Sequence, residues 1–332
     1  MSTCLLNLSN PVDISLESDR YTDLRDRDSA YVNGSFQKHC RSWHSWAYAL
    51  KTEFFVYGYP GWPGCYKYDN IIVLLNRDIP RAITEIEKLK KAGKNIAISY
   101  HEGVADLLKN SVKIVGLKQA LQHGVYINIF GQYQDMFEGL FGRDKVKFVN
   151  HGAPTDFYEE FRKPWTERTG DILVVTRTFN QHLARNTLAT LSAMKNYLSK
   201  NPERRVDFIT EDQGIEEAFK VLGFEDIKVH QGPFDYTNWL RFISNYKWAV
   251  HHDLSMNLGQ VSLDCALTDV IPVGGTTWFN IMMGSDDGGD LRKLMGILEW
   301  DDIGYHLDEL SKLRDLITPD LIGKNLEEVF NG

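Results

Sequence analysis

Residues 258–279, LGQVSLDCALTDVIPVGGTTWF, hold the pattern that decides the fold. Their first half has the apolar spacing of a helix, and their second half is a short apolar run that ends at Gly274 and Gly275. A helix followed by a buried strand is typical of α/β domains. Asp264 is unusual in this setting, because it lies among apolar residues shortly before the turn from helix to strand.

The same alternation of strand-like and helix-like segments runs through most of the chain. The first half contains the strand-like runs NIIVLLN and NIAISYHEG on either side of a helix-like segment with Pro80 near its start and Gly93 at its end. A second series begins at ILVVTRT and continues to the quoted residues. Such alternation predicts parallel sheets with right-handed crossovers. We therefore expect an α/β protein with two Rossmann-like, doubly wound domains that face each other across a cleft.

A polar, proline-bearing stretch without sustained periodicity, APTDFYEEFRKPWTERTGD, separates the two series. The chain has 332 residues, which is too many for one small core, so two domains of ordinary size are expected. We predict a first domain over residues 1–160 and a second over residues 161–310. Residues 311–332 are predicted to form terminal helices that pack back toward the first domain.

Composition restricts the class of protein. Hydrophobic residues make up 43% of the chain and charged residues 25%, as in globular proteins. No stretch approaches the ~20 apolar residues that span a bilayer, and no basic segment precedes the short apolar run at the N-terminus. The four cysteines lack metal-ligand spacing and suggest reduced thiols, which predicts a cytoplasmic protein. A net charge of −8 disfavours general binding to nucleic acid, although it does not exclude a local basic surface.

Two arginines follow the strand-like run ILVVT. Arg177 lies just past this run, and Arg185 lies at the start of the next helix-like segment, where free backbone N–H groups favour anions. Because guanidinium groups bind phosphate oxygens bidentately, the two residues suggest a diphosphate site. Their spacing alone, however, favours two ordinary surface arginines.

Gly259 and Asp264 form a second candidate pair. A glycine near a helix start lets a phosphate approach the backbone closely. Asp264 follows about a turn and a half later, and a carboxylate can accept hydrogen bonds from both hydroxyls of a ribose. The alternative is an ordinary solvent-facing aspartate, or one near the helix start that suits the helix dipole.

The order of elements resembles that of the retaining glycosyltransferases with the GT-B fold, especially the large family 4 group. VKFVNHGAPTDFYEEFRKP resembles the interdomain stretch of that family, and RNTLATLSAMKNYLSKNPERRVDFIT is similar to the helix and strand that follow its phosphate-binding strand. The family's donor-site module is similar to the segment IKVHQGPFDYTNWLRFISNYKWAVHHDLSMNLGQVSLDCALTDVIPVGG of this chain. The resemblance implies that the first domain binds the acceptor and the second binds a nucleotide-diphosphate sugar.

The resemblance also implies roles for individual residues. Arg177 and Arg185 match the basic pair on the donor diphosphate, and Asp264 takes the place of the glutamate that binds the donor ribose. His101 matches the histidine that contacts the donor sugar, although a histidine that merely ends a strand remains an alternative. His101, Arg177 and Arg185 are thus the candidate catalytic residues. The other donor-binding residues implied are Gly34 beside the diphosphate, Ser35 at a helix start, Gly232, Pro233 and Phe234 at the base, and Asn257, Leu258 and Gly259 through backbone groups.

Met256 departs from the family pattern. The family has a carboxylate here that contacts the donor sugar, and a thioether cannot make that charge-assisted hydrogen bond. The function implied is sugar transfer with retention of configuration, without a cofactor or a required metal, and with the nucleotide sugar as co-substrate. The acceptor is open among glycans, lipids, small molecules and modified DNA bases. Two alternatives also stay open: a nucleotide-sugar epimerase of the same fold, and a binding module that has lost turnover.

Overall fold

The computed structural model describes fourteen segments of the chain. They are 2–8, 42–58, 61–75, 79–101, 104–153, 155–176, 187–210, 216–224, 227–232, 236–254, 256, 258–288, 290–300 and 302–331. The chain divides into two units. Unit 1 contains Met1–Phe157 and Leu316–Gly332, and unit 2 contains Tyr158–Asp315.

Unit 1 is built on a parallel sheet. Its strands are β1 (Thr3–Asn7), β2 (Phe54–Val56), β3 (Asn70–Leu75), β4 (Asn95–Tyr100), β5 (Val125–Asn128) and β6 (Val146–Phe148). Their order in the sheet is β2-β1-β3-β4-β5-β6, and Leu5 of β1 pairs with both Phe54 and Ile72. All six residues of β3 are buried, as expected for a strand that is covered on both faces of a parallel sheet. The order of the strands reverses at β1 and β3, as it does in flavodoxin-like folds.

Unit 2 is built on a second parallel sheet. Its strands are β7 (Gly170–Val175), β8 (Val206–Thr210), β9 (Lys228–Gln231), β10 (Tyr246–Val250) and β11 (Ile271–Val273). Their order is β11-β10-β7-β8-β9, which is the Rossmann order with β7 at the centre. The strand order therefore reverses between β7 and β10, and ligands of such sheets bind outside the carboxyl ends of the strands at this point.

Helices connect the strands in both units. The helices up to residue 159 are α1 (Ser42–Ala49), α2 (Ile79–Lys91), α3 (Val104–Leu108), α4 (Ser111–Ala120), α5 (Gln134–Phe141) and α6 (Thr155–Glu159). Those that follow are α7 (Thr187–Lys200), α8 (Glu216–Val221), α9 (Tyr236–Ile243), α10 (Gln260–Leu267), α11 (Trp278–Met282), α12 (Leu291–Glu299), α13 (Ile303–Leu316) and α14 (Pro319–Glu328). Short 3-10 helices occupy Trp62–Lys67, Gly131–Tyr133, Arg143–Lys145 and Trp165–Glu167.

Helix α2 shows how the sequence pattern produces a core-facing element. Ile79, Ala82, Ile86 and Leu89 recur at helical spacing, and all four are buried. The helix ends before Gly93, whose φ of +77° is a left-handed conformation that glycine adopts without strain.

The last helix, α14, belongs to unit 1 although it follows unit 2 in the sequence. It packs closely against α1, because a Cβ atom on Gly323 would lie 2.5 Å from the carbonyl oxygen of Ala49. The preceding turn is fixed by the backbone N–H of Ala153, which donates to the carbonyl oxygen of Ile317 at 3.0 Å. The end of the chain thus completes the core of unit 1.

Candidate functional site

The segment that follows β10 lies at the reversal point of the unit 2 sheet, where parallel sheets of this kind bind their ligands. The backbone of this segment is held by the turn after β11. The N–H of His251 donates to the carbonyl of Val273 at 3.0 Å, and the N–H of Thr276 donates to the carbonyl of Asp253 at 2.8 Å. A Cβ on Gly275 would lie 2.5 Å from that same Asp253 oxygen. The second glycine of the pair is therefore needed for the two loops to approach each other.

A hydrogen bond between two buried side chains, a histidine and a carboxylate, also holds this segment in place. Nδ1 of His252 lies 2.6 Å from Oδ2 of Asp287, and the two side chains are 2% and 0% exposed. Because a carboxylate only accepts, the imidazole Nδ1–H donates this bond. Gly274 makes room for the pair, since a Cβ there would lie 3.3 Å from the Asp287 oxygen and 2.6 Å from Leu294. Sequence reasoning did not connect His252 with Asp287, because the two residues lie 35 positions apart in the chain and no spacing pattern links them.

Helix α10 begins at this edge, as the sequence predicted. Gly259 is its N-cap, with a φ of 86°, and a Cβ there would lie 2.6 Å from Thr277. The first-turn N–H groups of such a helix favour anions. Leu258 is held by the N–H of Phe279, which donates to its carbonyl at 3.2 Å. Met256, where the family has a carboxylate, has a φ of 55°, a left-handed conformation that costs a methionine about 1–3 kcal/mol.

Asp264 lies on the buried face of α10, and its carboxylate accepts hydrogen bonds from the side chains of two described residues. Nε1 of Trp239, on α9, donates to Oδ2 at 2.9 Å, and Nε2 of Gln260, one turn earlier on α10, donates to Oδ1 at 2.8 Å. The residue is only 2% exposed. The alternative of a solvent-facing aspartate is therefore wrong, and the role of Asp264 as a ribose ligand stays a prediction. Trp239 and Gln260 were missed, although the four-residue spacing from Gln260 to Asp264 could have identified one of them.

The other end of α10 is surrounded by arginines. Arg168 is 6% exposed and donates to the carbonyls of Lys163, Tyr246 and Thr268 at 2.7–3.2 Å. Arg162 donates to the carbonyl of Leu267 and Arg314 to that of Ala266, each at 3.2 Å. Burial lowers the pKa of Arg168, while the nearby charge of Asp269 opposes that shift. Cations at a helix C-terminus stabilise it through the dipole, so these guanidiniums fix the helix that carries Asp264.

In unit 1, His101 follows β4 and is packed against an aromatic residue of α1. Its ring lies 5.0 Å from that of Trp46, edge to face, and Nε1 of Trp46 donates to the carbonyl of Asn150 at 3.3 Å. Burial of the ring, together with the nearby His151, lowers the pKa of His101 to about 3. Burial likewise lowers the pKa of His151 to about 4. Both imidazoles are therefore neutral at physiological pH, and each can exchange hydrogen bonds but carries no charge.

Among the remaining predicted residues, Gly232 lies directly after β9, where its N–H donates to the carbonyl of Thr210 at 2.7 Å. The other seven lie outside the described residues, and their roles stay predictions. They are Gly34, Ser35, Arg177, Arg185, Pro233, Phe234 and Asn257. Within the described segments, no group of three or more His, Cys, Asp or Glu side chains is arranged to hold a metal ion. Nor does any helix in that part of the chain have the length and apolar character required to cross a membrane.

Comparison with known proteins gives likeness in structure alone. No protein-family model and no curated protein sequence matches the chain. HepE from Anabaena, solved in complex with UDP and glucose, superimposes with a TM-score of 0.61 at 14% identity over 100% of both chains. An alpha,alpha-trehalose-phosphate synthase (UDP-forming) from Burkholderia vietnamiensis superimposes with a TM-score of 0.62 at 10% identity, over 99% of this chain and 98% of that chain.

A third structure, of trehalose-6-phosphate from E. coli bound with UDP-2-fluoro glucose, superimposes with a TM-score of 0.60 at 11% identity, over 100% of this chain and 99% of that chain. The α/β class with two parallel sheets and the predicted likeness to GT-B enzymes are confirmed by these neighbours. The trehalose-6-phosphate synthases among these neighbours belong to family 20, whereas the sequence resemblance was to family 4; at 10–14% identity the neighbours show the fold alone. The chain therefore has the fold of the retaining GT-B glycosyltransferases.

Proposed function

We propose that the protein transfers a sugar from a UDP-sugar to an acceptor, with retention of configuration. The observation that carries the proposal is the carboxyl edge of the unit 2 sheet, where the left-handed Gly259 begins a helix that carries the buried Asp264 carboxylate. The neighbours with UDP, glucose and UDP-2-fluoro glucose support the choice of UDP-sugars as donors. The acceptor stays open, and the net charge of −8 disfavours a nucleic acid.

The donor would be held by groups that suit each of its parts. Asp264 would accept a hydrogen bond from the ribose, and Gly232, Pro233 and Phe234 would hold the base. The diphosphate would lie against Gly259 and the backbone of Leu258 and Asn257, where the α10 N-terminus favours negative charge. Arg177 and Arg185 would bind the same diphosphate, and Gly34 and Ser35 stay donor-binding residues that the family resemblance implies.

The chemistry would place positive charge on the sugar and negative charge on the leaving diphosphate. The transition state of glycosyl transfer has oxocarbenium character, as in glycoside hydrolysis. Arg177 and Arg185 would stabilise the charge that develops on the diphosphate, an electrostatic contribution that is largest when water is excluded. His101 is neutral at physiological pH and would therefore contact a sugar hydroxyl as a hydrogen-bonding partner rather than as a cation.

The location of the protein belongs to the same proposal. The thiols of Cys4, Cys65 and Cys265 are free and buried. Free thiols persist in a reducing compartment, which supports the cytoplasm as the place where the protein acts.

The direct test measures release of UDP from a panel of UDP-sugars, with UDP-glucose first. We expect UDP release with at least one donor, and we expect Arg177→Glu to abolish donor binding because it replaces a cation at the diphosphate with an anion. Arg205→Glu is the matched control, since Arg205 is exposed and precedes β8 at the amino end of the sheet. If Arg177→Glu bound UDP as tightly as Arg205→Glu does, Arg177 would have no place in the donor site.

Met256 favours a second candidate function, a module that binds the nucleotide sugar without turning it over. The residue has no charge to offer the donor sugar, and its left-handed backbone is a strained position. The same assay separates the two candidates. Binding of UDP-glucose by calorimetry, without UDP release in the presence of any acceptor tried, would favour the module over the transferase.

A further inference from the structure

Three aromatic side chains form a row in the loop that follows β2 of unit 1. The ring centroids of Tyr57 and Trp62 lie 4.7 Å apart, and those of Trp62 and Tyr66 lie 6.1 Å apart. All three side chains are half-buried, so each is partly in contact with solvent. Amphipathic aromatic side chains of this kind are typical of surfaces that bind a ligand. The proposed donor site in unit 2 does not use this aromatic row.

The aromatic row is anchored to the core of unit 1 at two places. The 3-10 helix Trp62–Lys67 contains Cys65, which is fully buried. The hydroxyl of Tyr57 donates to Oε1 of Glu85 at 3.0 Å, and Glu85 is only 5% exposed. Because these contacts hold the rings before a ligand arrives, little conformational entropy is lost on binding.

Polar groups of helix α2 lie beside the aromatic row. The guanidinium carbon of Arg81 lies 5.0 Å from the ring centroid of Tyr57, and Nζ of Lys88 pairs with Oε1 of Glu85 at 2.7 Å. A sugar suits this combination, since its C–H face contacts an aromatic ring while its hydroxyls exchange hydrogen bonds with charged side chains. Because the Lys88 charge is paired and the chain has a net charge of −8, an uncharged saccharide is favoured over a nucleic acid.

The aromatic row lies at the same edge of the unit 1 sheet as His101. Tyr57 directly follows β2, and its N–H donates to the carbonyl of Asn7, the last residue of β1, at 2.9 Å. His101 directly follows β4, and its N–H donates to the carbonyl of Leu75, the last residue of β3, at 3.4 Å. The strand order β2-β1-β3-β4 places three strand spacings, about 14 Å, between the ends of β2 and β4. One sugar ring is too short to cover that distance.

We propose that the acceptor is an oligosaccharide, and that the aromatic row binds its sugars distant from the reacting end. This inference rests on the proposed function, because His101 marks the reacting end only if it contacts the transferred sugar. The reacting end of the acceptor then lies near His101, and the following sugars extend across the sheet edge to Trp62. A monosaccharide reaches only one of these two places and therefore binds more weakly.

The test screens the whole protein against an array of mono- and oligosaccharides and measures the affinity of the best ligand by calorimetry. Stacking on an aromatic side chain changes affinity by about tenfold. We therefore expect an oligosaccharide to bind, and the monosaccharide of the same series to bind about tenfold or more weakly. Equal affinity for both, or no binding to any saccharide, would overturn the inference. So would binding of a single-stranded oligonucleotide through Trp62 in place of a saccharide, which would assign the aromatic row to nucleic acid.

Trp62→Ala tests the aromatic row, because Trp62 is its central ring. We expect the affinity for the oligosaccharide to fall about tenfold, and Trp62→Phe to restore part of it because a ring is kept. Trp300→Ala is the matched control, since Trp300 also lies 4.7 Å from a tyrosine ring, that of Tyr305, and is 47% exposed on unit 2. An unchanged affinity in Trp62→Ala, or an equal loss in Trp300→Ala, would contradict the role of the row.

Measurements with UDP distinguish failure of this inference from failure of the proposed function. UDP should bind to Trp62→Ala as tightly as to the wild type, which shows that the variant is folded. A wild-type protein that neither bound UDP nor released it from a UDP-sugar would refute the proposed function, and with it the assignment of the oligosaccharide as acceptor. If the wild type released UDP while Trp62→Ala kept the wild-type KM for the oligosaccharide, the inference alone would be refuted.

Discussion

Gly275 occupies a backbone position that other residues adopt only with strain. Its φ is +77°, and a Cβ would lie 2.5 Å from the Asp253 carbonyl oxygen. We expect Gly275→Ala to destabilise unit 2 by at least about 1–3 kcal/mol, the usual cost of the left-handed conformation, with more from the collision. Thermal unfolding followed by circular dichroism measures this.

Gly296 is the matched control for that substitution, because it lies within α12 with nothing within 4 Å of the added Cβ. Alanine there should raise the melting temperature slightly, since glycine is unfavourable inside a helix. Equal effects of the two substitutions would show that the approach of the two loops does not matter for stability.

The pair His101 and His151 predicts a loss of stability in acid. Each has a folded-state pKa, about 3 and about 4, that lies below the ordinary value of 6.5. Below pH 6.5 the unfolded chain therefore binds protons that the folded chain does not, so stability decreases as the pH falls from 6.5 toward 4. Urea unfolding followed at several pH values, with tryptophan fluorescence as the signal, measures this slope. The double variant His101→Asn and His151→Asn should flatten it, and an unchanged slope would contradict the prediction.

At the scale of elements, the stability of helix α10 depends on the contacts at its two ends. Arg168 is the most buried of the arginines at its C-terminus, and it donates to three carbonyls from different segments. Arg168→Met should remove these bonds and leave buried acceptors without donors, at a cost of about 3 kcal/mol or more. We expect a lower melting temperature and weaker UDP binding, because the helix that carries Asp264 loses its anchor.

Arg292→Met is the control for that substitution. Arg292 pairs with Asp290 on the surface, its side chain is 93% exposed, and exposed pairs contribute little to stability. A similar loss in both variants would mean that the number of arginines, rather than the bonds of Arg168, stabilises unit 2.

Element types were predictable where the sequence is periodic. The alternation of apolar and amphipathic segments predicted the parallel sheets, and the helix at 260–267 followed by the strand at 271–273 matches the pattern of the quoted residues. The GT-B fold was predicted correctly, whereas the family within that fold stays a prediction, because neighbours of 10–14% identity show the fold alone. The candidate site was predicted only in part, since one-residue features such as Arg177 or His101 carry no periodicity that distinguishes a ligand from a surface residue.

For the molecule as a whole, the return of the chain to unit 1 makes the stability of that unit depend on the last helix. A side chain larger than hydrogen at Gly323 would collide with the backbone of Ala49. We expect Gly323→Val to separate α14 from α1 and to reduce hydrogen-exchange protection in α1 and near Ala153, while strands β7–β11 keep theirs. Gly304→Val is the control, because a Cβ there meets only Asp302 at an ordinary 3.4 Å. If Gly323→Val reduced hydrogen-exchange protection in strands β7–β11 as much as in α1, the two units would not respond separately to the substitution.

The sequence by itself determined the elements and their class: repeating apolar positions specify strands and helices locally, and parallel sheets follow from their alternation. It also determined where the glycines of the β11 turn and the start of α10 had to be. Only the tertiary structure decided what Asp264 and His252 touch, through Trp239 on a different helix and Asp287 on a distant loop. Hydrogen bonds of this kind depend on how separate elements pack, and side-chain contacts between distant segments leave no spacing in the sequence from which they could be read.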